Sequence, residues 1–313
     1  MILRKLVSLF CFVGVVCILG CQNDTIHKET RTLMGTFIEV SSPDRRAASI
    51  VFDEISRIDG LLNRYNKNSE IYKLNATGKL KASPDTFYII RSAKEFWLLS
   101  DGAFDITVGP LVDAWGFPDK KYRIPNSDEI DAAVKLIGFD KIVFNDGLST
   151  IELKEPGMKI DLGIIAKGYA VDCAVKRLKE RGINSCLINA GGDIYCLGDK
   201  FGKPWVVGVQ DPRGDDLVNY LELRNRAVAT IASNQNGFIK DNKHYSQIIN
   251  PKKGYPADSG VISVTVVADD CLRADSLAAT IFVLGKKKGM ELSKKITGVD
   301  IEVIEEGDIP INQ

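Results

Sequence analysis

The stretch Lys159-Ile160-Asp161-Leu162-Gly163-Ile164-Ile165-Ala166-Lys167-Gly168-Tyr169-Ala170-Val171-Asp172 changes character halfway along. Lys159 to Leu162 reads as a short strand ending near an acid. A small turn follows. From Ala166 to Glu180 the apolar residues recur at helical spacing, and Arg181-Gly182 is a stop signal. A helix start leaves N–H groups without intrahelical partners, which suits a phosphate, and Lys167 in the first turn adds a point charge. The same pattern also fits a plain capped helix with a solvated lysine.

The pattern extends in both directions. Upstream, Thr36 to Ser41 reads as a strand, and Ala47 to Asn63, Asp85 to Ser100 and Asn126 to Val134 as helices. Lys141 to Phe144 and Thr150 to Leu153 flank an Asn-Asp-Gly turn and read as a hairpin. Downstream come strands at Cys186–Asn189, Tyr195–Leu197, Trp205–Val209, Leu217–Leu223, Ala227–Ile231 and Val261–Val267. A helix opens at Asp275 and runs to Leu284, and Lys294 to Val303 closes the fold. Runs of strands separated by a few long helices, without regular βαβ alternation, predict an α+β fold. The expectation is a single compact domain of mixed, largely antiparallel sheets.

The chain has 313 residues, 45% hydrophobic and 26% charged, with 41 basic and 41 acidic side chains. A balanced charge excludes a general nucleic-acid binder, whose affinity comes from Lys and Arg neutralising phosphates. Only two histidines occur, His27 and His244, so a His-rich metal site is excluded.

The N-terminus reads as an address. Met1 to Lys5 is short and basic, and Leu6 to Leu19 is largely apolar, too short to span a bilayer comfortably. Ile18-Leu19-Gly20-Cys21 resembles a bacterial lipobox, in which the cysteine is lipidated. The expected organisation is a signal peptide over 1–20, a lipidated Cys21 with a polar tether over 21–30, and a domain over 31–313. Such a protein is exported, periplasm-facing and held to a bacterial membrane by its lipid. Cys173, Cys186 and Cys196 sit in apolar patterns and read as small hydrophobes, and with Cys271 they show no metal spacing.

Three further segments carry chemistry. Asp101-Gly102-Ala103-Phe104-Asp105-Ile106-Thr107-Val108-Gly109-Pro110-Leu111 packs acids and backbone breakers around an aromatic, and reads equally as a structured loop. Asn189-Ala190-Gly191-Gly192-Asp193 follows an apolar strand, and its glycines allow close backbone approach to a ligand or simply a hairpin turn. Ala274-Asp275 near a helix start is either an N-cap or an oxygen ligand for Mg²⁺.

Together these segments, with Met34-Gly35-Thr36 and Asn250-Pro251-Lys252-Lys253-Gly254-Tyr255-Pro256, resemble the ApbE family of FAD:protein FMN transferases, over nearly the whole domain. The resemblance implies an ApbE-like domain that binds FAD with its diphosphate on Mg²⁺. A protein threonine attacks the phosphorus on the FMN side, and AMP leaves. The acceptors it implies are flavoprotein subunits of membrane redox complexes. Matched position by position, Met34, Tyr65, Ala103, Phe104, Asp105, Asp161, Lys167 and Ile249 are FAD-contacting. Tyr65 is expected to stack on a ring system. The metal positions are the backbone carbonyl of Ile164, Asp275, and residue 279. No catalytic residue is fixed, and Asp161, Lys167 and His244 are the candidates.

The sequence departs from the family pattern at three places. Residue 279, usually Thr or Ser, is Ala279, so either a water replaces the hydroxyl or the neighbouring Thr280 supplies it. A His that is a candidate proton acceptor is replaced by Gln247, which cannot take a proton at neutral pH. A hydroxyl residue is replaced by Ile231. Two alternatives therefore stand beside the transferase: a hydrolase giving FMN and AMP, and a non-catalytic FAD-binding lipoprotein.

Overall fold

The computed structural model describes residues 25–308, apart from 119, 215 and 234–236. The signal segment, Cys21 and the start of the tether lie outside the described residues. In chain order the elements are β1 (His27–Leu33), β2 (Thr36–Ser42), α1 (Ala47–Leu62), α2 (Glu70–Thr77), β3 (Lys79–Lys81), α3 (Pro84–Leu99), α4 (Gly109–Ala114), α5 (Ser127–Val134), β4 (Ile142–Asn145), β5 (Thr150–Leu153) and α6 (Ala166–Glu180). They continue with β6 (Cys186–Ala190), β7 (Asp193–Leu197), β8 (Trp205–Gln210), β9 (Leu217–Leu223), β10 (Arg226–Ala232), β11 (Gly237–Lys240), β12 (Lys243–Ser246), β13 (Val261–Ala268), α7 (Cys271–Leu284), α8 (Lys286–Ser293) and β14 (Asp300–Glu305).

Seven strands form one sheet in the order β1-β2-β6-β7-β10-β13-β14, and every neighbouring pair is antiparallel. β13 is central enough to be buried on both faces, which is why Val261 to Val267 reads as a continuous apolar run. Helices α1, α6 and α7 cover one face. Ile38, Val40 and Ile188 from the sheet meet Ile55, Ala170, Ala174 and Leu277 from the helices there. The β8–β9 ribbon covers the other face through Trp205, Val207 and Leu223, which pack on Cys196, Val228 and Val267. A smaller cluster around Trp115 sits under the Asn250–Gly254 turn, whose Gly254 carbonyl accepts from Trp115 Nε1 at 2.9 Å.

Four differences from the sequence reading have physical causes. First, β1 begins at His27, inside the stretch expected as tether. Its polar residues are tolerated because it is an edge strand with one partner, and Lys28 pairs with Glu39 of β2 at 2.7 Å. Second, Lys159–Leu162 is not a ladder strand. Its backbone bonds are taken by a side chain and a loop: Ile160 N–H donates to Asn75 Oδ1 at 2.6 Å, and Asp161 N–H to the Ile106 carbonyl at 2.7 Å. Third, α7 begins at Cys271, one turn before Asp275. Asp270 is its cap, with its side chain accepting from Arg273 N–H. Fourth, α2, α4 and α8 are short helices whose apolar pattern is too brief to show a period; α2 is set by its Ser69 cap and the left-handed Gly78. The Cys residues behave as read: Cys186, Cys196 and Cys271 are buried, Cys173 is half-buried, and all four are free thiols.

Candidate functional site

α6, the β6–β7 turn and α7 converge on a cavity of about 140 Å³. At its floor Lys167 Nζ donates to Asp193 Oδ2 at 2.7 Å and lies 3.6 Å from Asp275 Oδ2. Asp193 and Asp275 are almost fully buried. Burial would depress the Lys167 ammonium, but the two carboxylates outweigh it and hold it protonated. Burial first, and then the neighbouring Asp193, push Asp275 well above the usual carboxylate range, although Lys167 and the Gly168 N–H oppose that shift. Asp275 Oδ2 is buried without a hydrogen-bond partner. Two acids therefore face one base, with one oxygen left over.

Two contacts fix how closely α6 and α7 approach. A Cβ on Gly168 would stand 2.5 Å from the Cys271 carbonyl oxygen, so only glycine allows the crossing. One turn on, Asp172 accepts from the N–H groups of Cys271 and Leu272, both at 2.8 Å. Those are two of the orphan donors at the start of α7. Burial raises the Asp172 carboxyl to about 7 in spite of these bonds.

A second charged group holds the entrance turn. Arg64 donates to Asp161 Oδ2 at 2.6 Å and to Asp113 Oδ1 at 2.7 Å, and Lys159 Nζ donates to Asp113 Oδ2 at 2.6 Å. Asp161 Oδ1 also accepts from Gly163 N–H, which shapes the turn containing Ile164. Burial opposes the Arg64 charge, and Asp161 and Asp113 more than offset it.

Most of the residues named from sequence meet in this cavity. Ala103, Phe104, Asp105, Asp161, Ile164, Lys167, Ile249, Asp275 and Ala279 all line it. Asp105 is also held by the loop, its Oδ1 accepting from Thr107 N–H and Oγ1, and burial raises its carboxyl above the ordinary range. Gln247, Ile231 and Ala279, the three departures, line the cavity as well. Thr280 does not supply the missing hydroxyl: its Oγ1 donates to the Ser276 carbonyl at 2.7 Å.

Three residues are placed elsewhere. Met34 sits at the β1–β2 hairpin tip with φ 50°, packed against the core but outside the cavity lining. Tyr65 is exposed, with the Arg64 guanidinium 5.4 Å from its ring centre. His244 is exposed on β12 and lines a second, wider cavity of about 1180 Å³, so the structure does not bring it to the charged floor. Sequence reading missed the roles of Arg64, Asp113 and Asp193. Arg64 stands beside Tyr65, and Asp193 ends the Gly-Gly turn, but neither position announces its partner.

The charged floor fits a cation. Buried acids outnumber bases, and an uncapped carboxylate oxygen awaits a ligand. Among the described residues no three His, Cys, Asp or Glu side chains form a cage. The donors on the floor are carboxylate oxygens, the hard ligands that Mg²⁺ takes alongside waters and phosphate oxygens.

The ApbE family model matches residues 34–303, so the chain belongs to the ApbE family. A FAD:protein FMN transferase of Klebsiella pneumoniae is 30% identical over 286 residues, covering 89% of each chain. The crystal structure of the ApbE protein of Thermotoga maritima superposes with a TM-score of 0.86 at 33% identity, over 91% of this chain and 96% of that one. The flavin transferase ApbE of Vibrio cholerae gives 0.81 at 26% identity, over 91% and 94%. The α+β fold expected from the sequence is the fold of these proteins.

Proposed function

We propose that this chain is an FAD:protein FMN transferase. It moves FMN from FAD to a threonine hydroxyl of an exported flavoprotein subunit of a membrane redox complex and releases AMP. The observation that carries the reading is the buried Lys167–Asp193–Asp275 group, with a carboxylate oxygen that has no hydrogen-bond partner, in a cavity lined by six of the eight positions that the resemblance marks as FAD-contacting. The relatives named as FAD:protein FMN transferases support the same activity.

The residues divide the work. Asp275 and the Ile164 carbonyl would hold Mg²⁺, and Ala279, which lines the same cavity, offers it no side-chain oxygen. Held there, Mg²⁺ would supply charge neutralisation to the diphosphate. Asp193 positions Lys167, whose ammonium attracts phosphate oxygens. Asp161, fixed by Arg64, shapes the turn that presents Ile164. The threonine oxygen bonds to the FMN-side phosphorus while the bond from that phosphorus to the bridging oxygen breaks. AMP takes the bridging oxygen, and the hydroxyl proton passes to solvent. Gln247 orients the hydroxyl and cannot accept its proton. Phosphoryl transfer tolerates this because positioning and charge neutralisation supply most of the rate. The chain is proposed to act outside the cytoplasm, anchored through a lipidated Cys21.

The test mixes the protein with FAD, Mg²⁺ and an exported flavoprotein subunit bearing a threonine acceptor, and reads the acceptor's mass. A gain of one FMN, abolished by EDTA, is expected. FMN and AMP formed equally fast without acceptor would make the protein a hydrolase. Bound FAD with no product would make it a binding lipoprotein.

A further inference from the structure

The inner cavity opens beside the wider one. Ala103 and Val283 line both, and the chain passes from one to the other between Ser246 and Gln247. A protein hydroxyl must reach the inner cavity while FAD occupies it, so the acceptor needs an approach of its own.

β12 forms one wall of the wider cavity. Residues 242–246 line it without a break, and side chains on a strand alternate faces. A cavity touched by all four residues of β12 therefore runs along the strand's edge and not over one face. Among the described residues β12 pairs with β11 alone. The hairpin closes through Asp241 and Asn242, both at positive φ, which makes Lys240/Lys243 a hydrogen-bonded pair and Ile239/His244 an open one. His244 and Ser246 thus turn their backbone N–H and C=O groups away from β11. The hairpin is also rigidly mounted: Phe238 and Tyr245 stack at 5.0 Å, and Tyr245 lies 5.6 Å from the buried Trp115.

We infer that the acceptor polypeptide enters the wider cavity as an extended strand laid along the outer edge of β12, with its hydroxyl residue reaching the inner cavity past Ala103 and Val283. This rests on the transferase reading and adds how the partner is held. Backbone pairing carries the recognition, as in strand addition to exposed sheet edges. Charge contributes little. Lys252 is paired with Asp101 at 2.6 Å and Lys243 with Asp258 at 3.1 Å, so two of the four lysines lining the cavity are already neutralised. Transfer should therefore depend only weakly on salt.

His244→Pro removes one outward N–H without removing a β11 bond, a placement proline tolerates in edge strands. Using the acceptor that wild type modifies, H244P should raise the acceptor KM at least tenfold while FAD binding stays unchanged. His244→Ala, which keeps the outward N–H, should raise the acceptor KM by less than a third of the H244P increase. Unchanged KM in H244P overturns the proposal, and so does an equal loss in H244A, which would assign the effect to the imidazole. If H244P loses FAD binding, amide exchange on wild type decides: the His244 and Ser246 amides should slow on adding acceptor, and no slowing overturns the proposal. Wild type that transfers FMN to no acceptor fails the transferase reading itself, and the docking proposal falls with it.

Discussion

Two groups of charge, one half-buried and one buried, lie on either side of the turn from Asp161 to Lys167. In the outer one, Arg64 and Lys159 alternate with Asp113 and Asp161, and each charge meets an opposite charge within 2.7 Å. In the inner one, Lys167 serves both Asp193 and Asp275 and reaches the second only at 3.6 Å. The outer group is closed: two bases, two acids, hydrogen bonds complete. The inner group is short of one positive charge. A closed group holds structure together, whereas a deficient one takes up a proton or a cation. The same residue types thus do opposite jobs, and the charge count tells them apart.

Substitutions in the two groups should move stability in opposite directions. The largest effect belongs to Asp275→Asn, which removes the proposed Mg²⁺ ligand. Transfer should fall by a factor of about 10³, in line with loss of a main electrostatic contributor. Without metal, the same variant should melt a few degrees higher, because it removes a carboxyl whose ionisation is opposed first by burial and then by Asp193. Normal turnover in D275N would remove Asp275 from the site.

Asp113→Asn should do the reverse. It leaves Lys159 without an acid and Arg64 with Asp161 alone, and losing pairs this exposed costs about 1–2 kcal/mol, between the surface and buried cases. Urea unfolding should show that loss. A D113N protein as stable as wild type would mean that the outer group is not structural.

Gln247→His tests whether the site lacks a base. Transfer should rise about tenfold at pH 7 to 8, and lose that gain as the imidazole protonates below its ordinary range. Equal rates in both proteins would show that proton removal does not limit the reaction. Ala279→Thr should tighten Mg²⁺ severalfold, read by titration calorimetry, and no change would mean that residue 279 is not turned to the metal.

The smallest effect is a pH slope. The Asp172 carboxyl is raised to about 7 by burial, from an unfolded value near 4. Between those values the folded state holds a proton that the unfolded state has lost. Its contribution is thus complete below pH 4 and declines as pH rises towards 7. In EDTA, the wild-type denaturation midpoint should drop over that window, and Asp172→Asn should flatten the drop.

The sheet and the long helices were legible because their apolar residues repeat. β13 is buried on both faces and α6 shows a clear stripe, so local pattern and tertiary role agree. Asp161, Lys167 and Asp275 were legible as motif positions, and the fold brings them to one cavity. What stayed hidden was pairing. Arg64 finds its acids 49 and 97 residues along, and nothing local selects them. The Lys159–Leu162 strand failed for a related reason: an Asn75 side chain and a loop carbonyl replaced the neighbouring strand that its apolar residues implied. His244 drew attention as one of two histidines, yet it is the backbone of its strand that borders the wider cavity.

The crossing at Gly168 has a consequence for reading natural variants. A side chain there would push the start of α6 off the Cys271 carbonyl and widen the gap between Lys167 and Asp275. Gly168 makes no appearance among the cavity-lining residues, so a survey of substrate contacts would score it as silent. If the proposed Mg²⁺ site is right, an allele carrying alanine at 168 would nonetheless be inherited as a metal-affinity defect, rescued by high magnesium in the growth medium and exposed by scarcity.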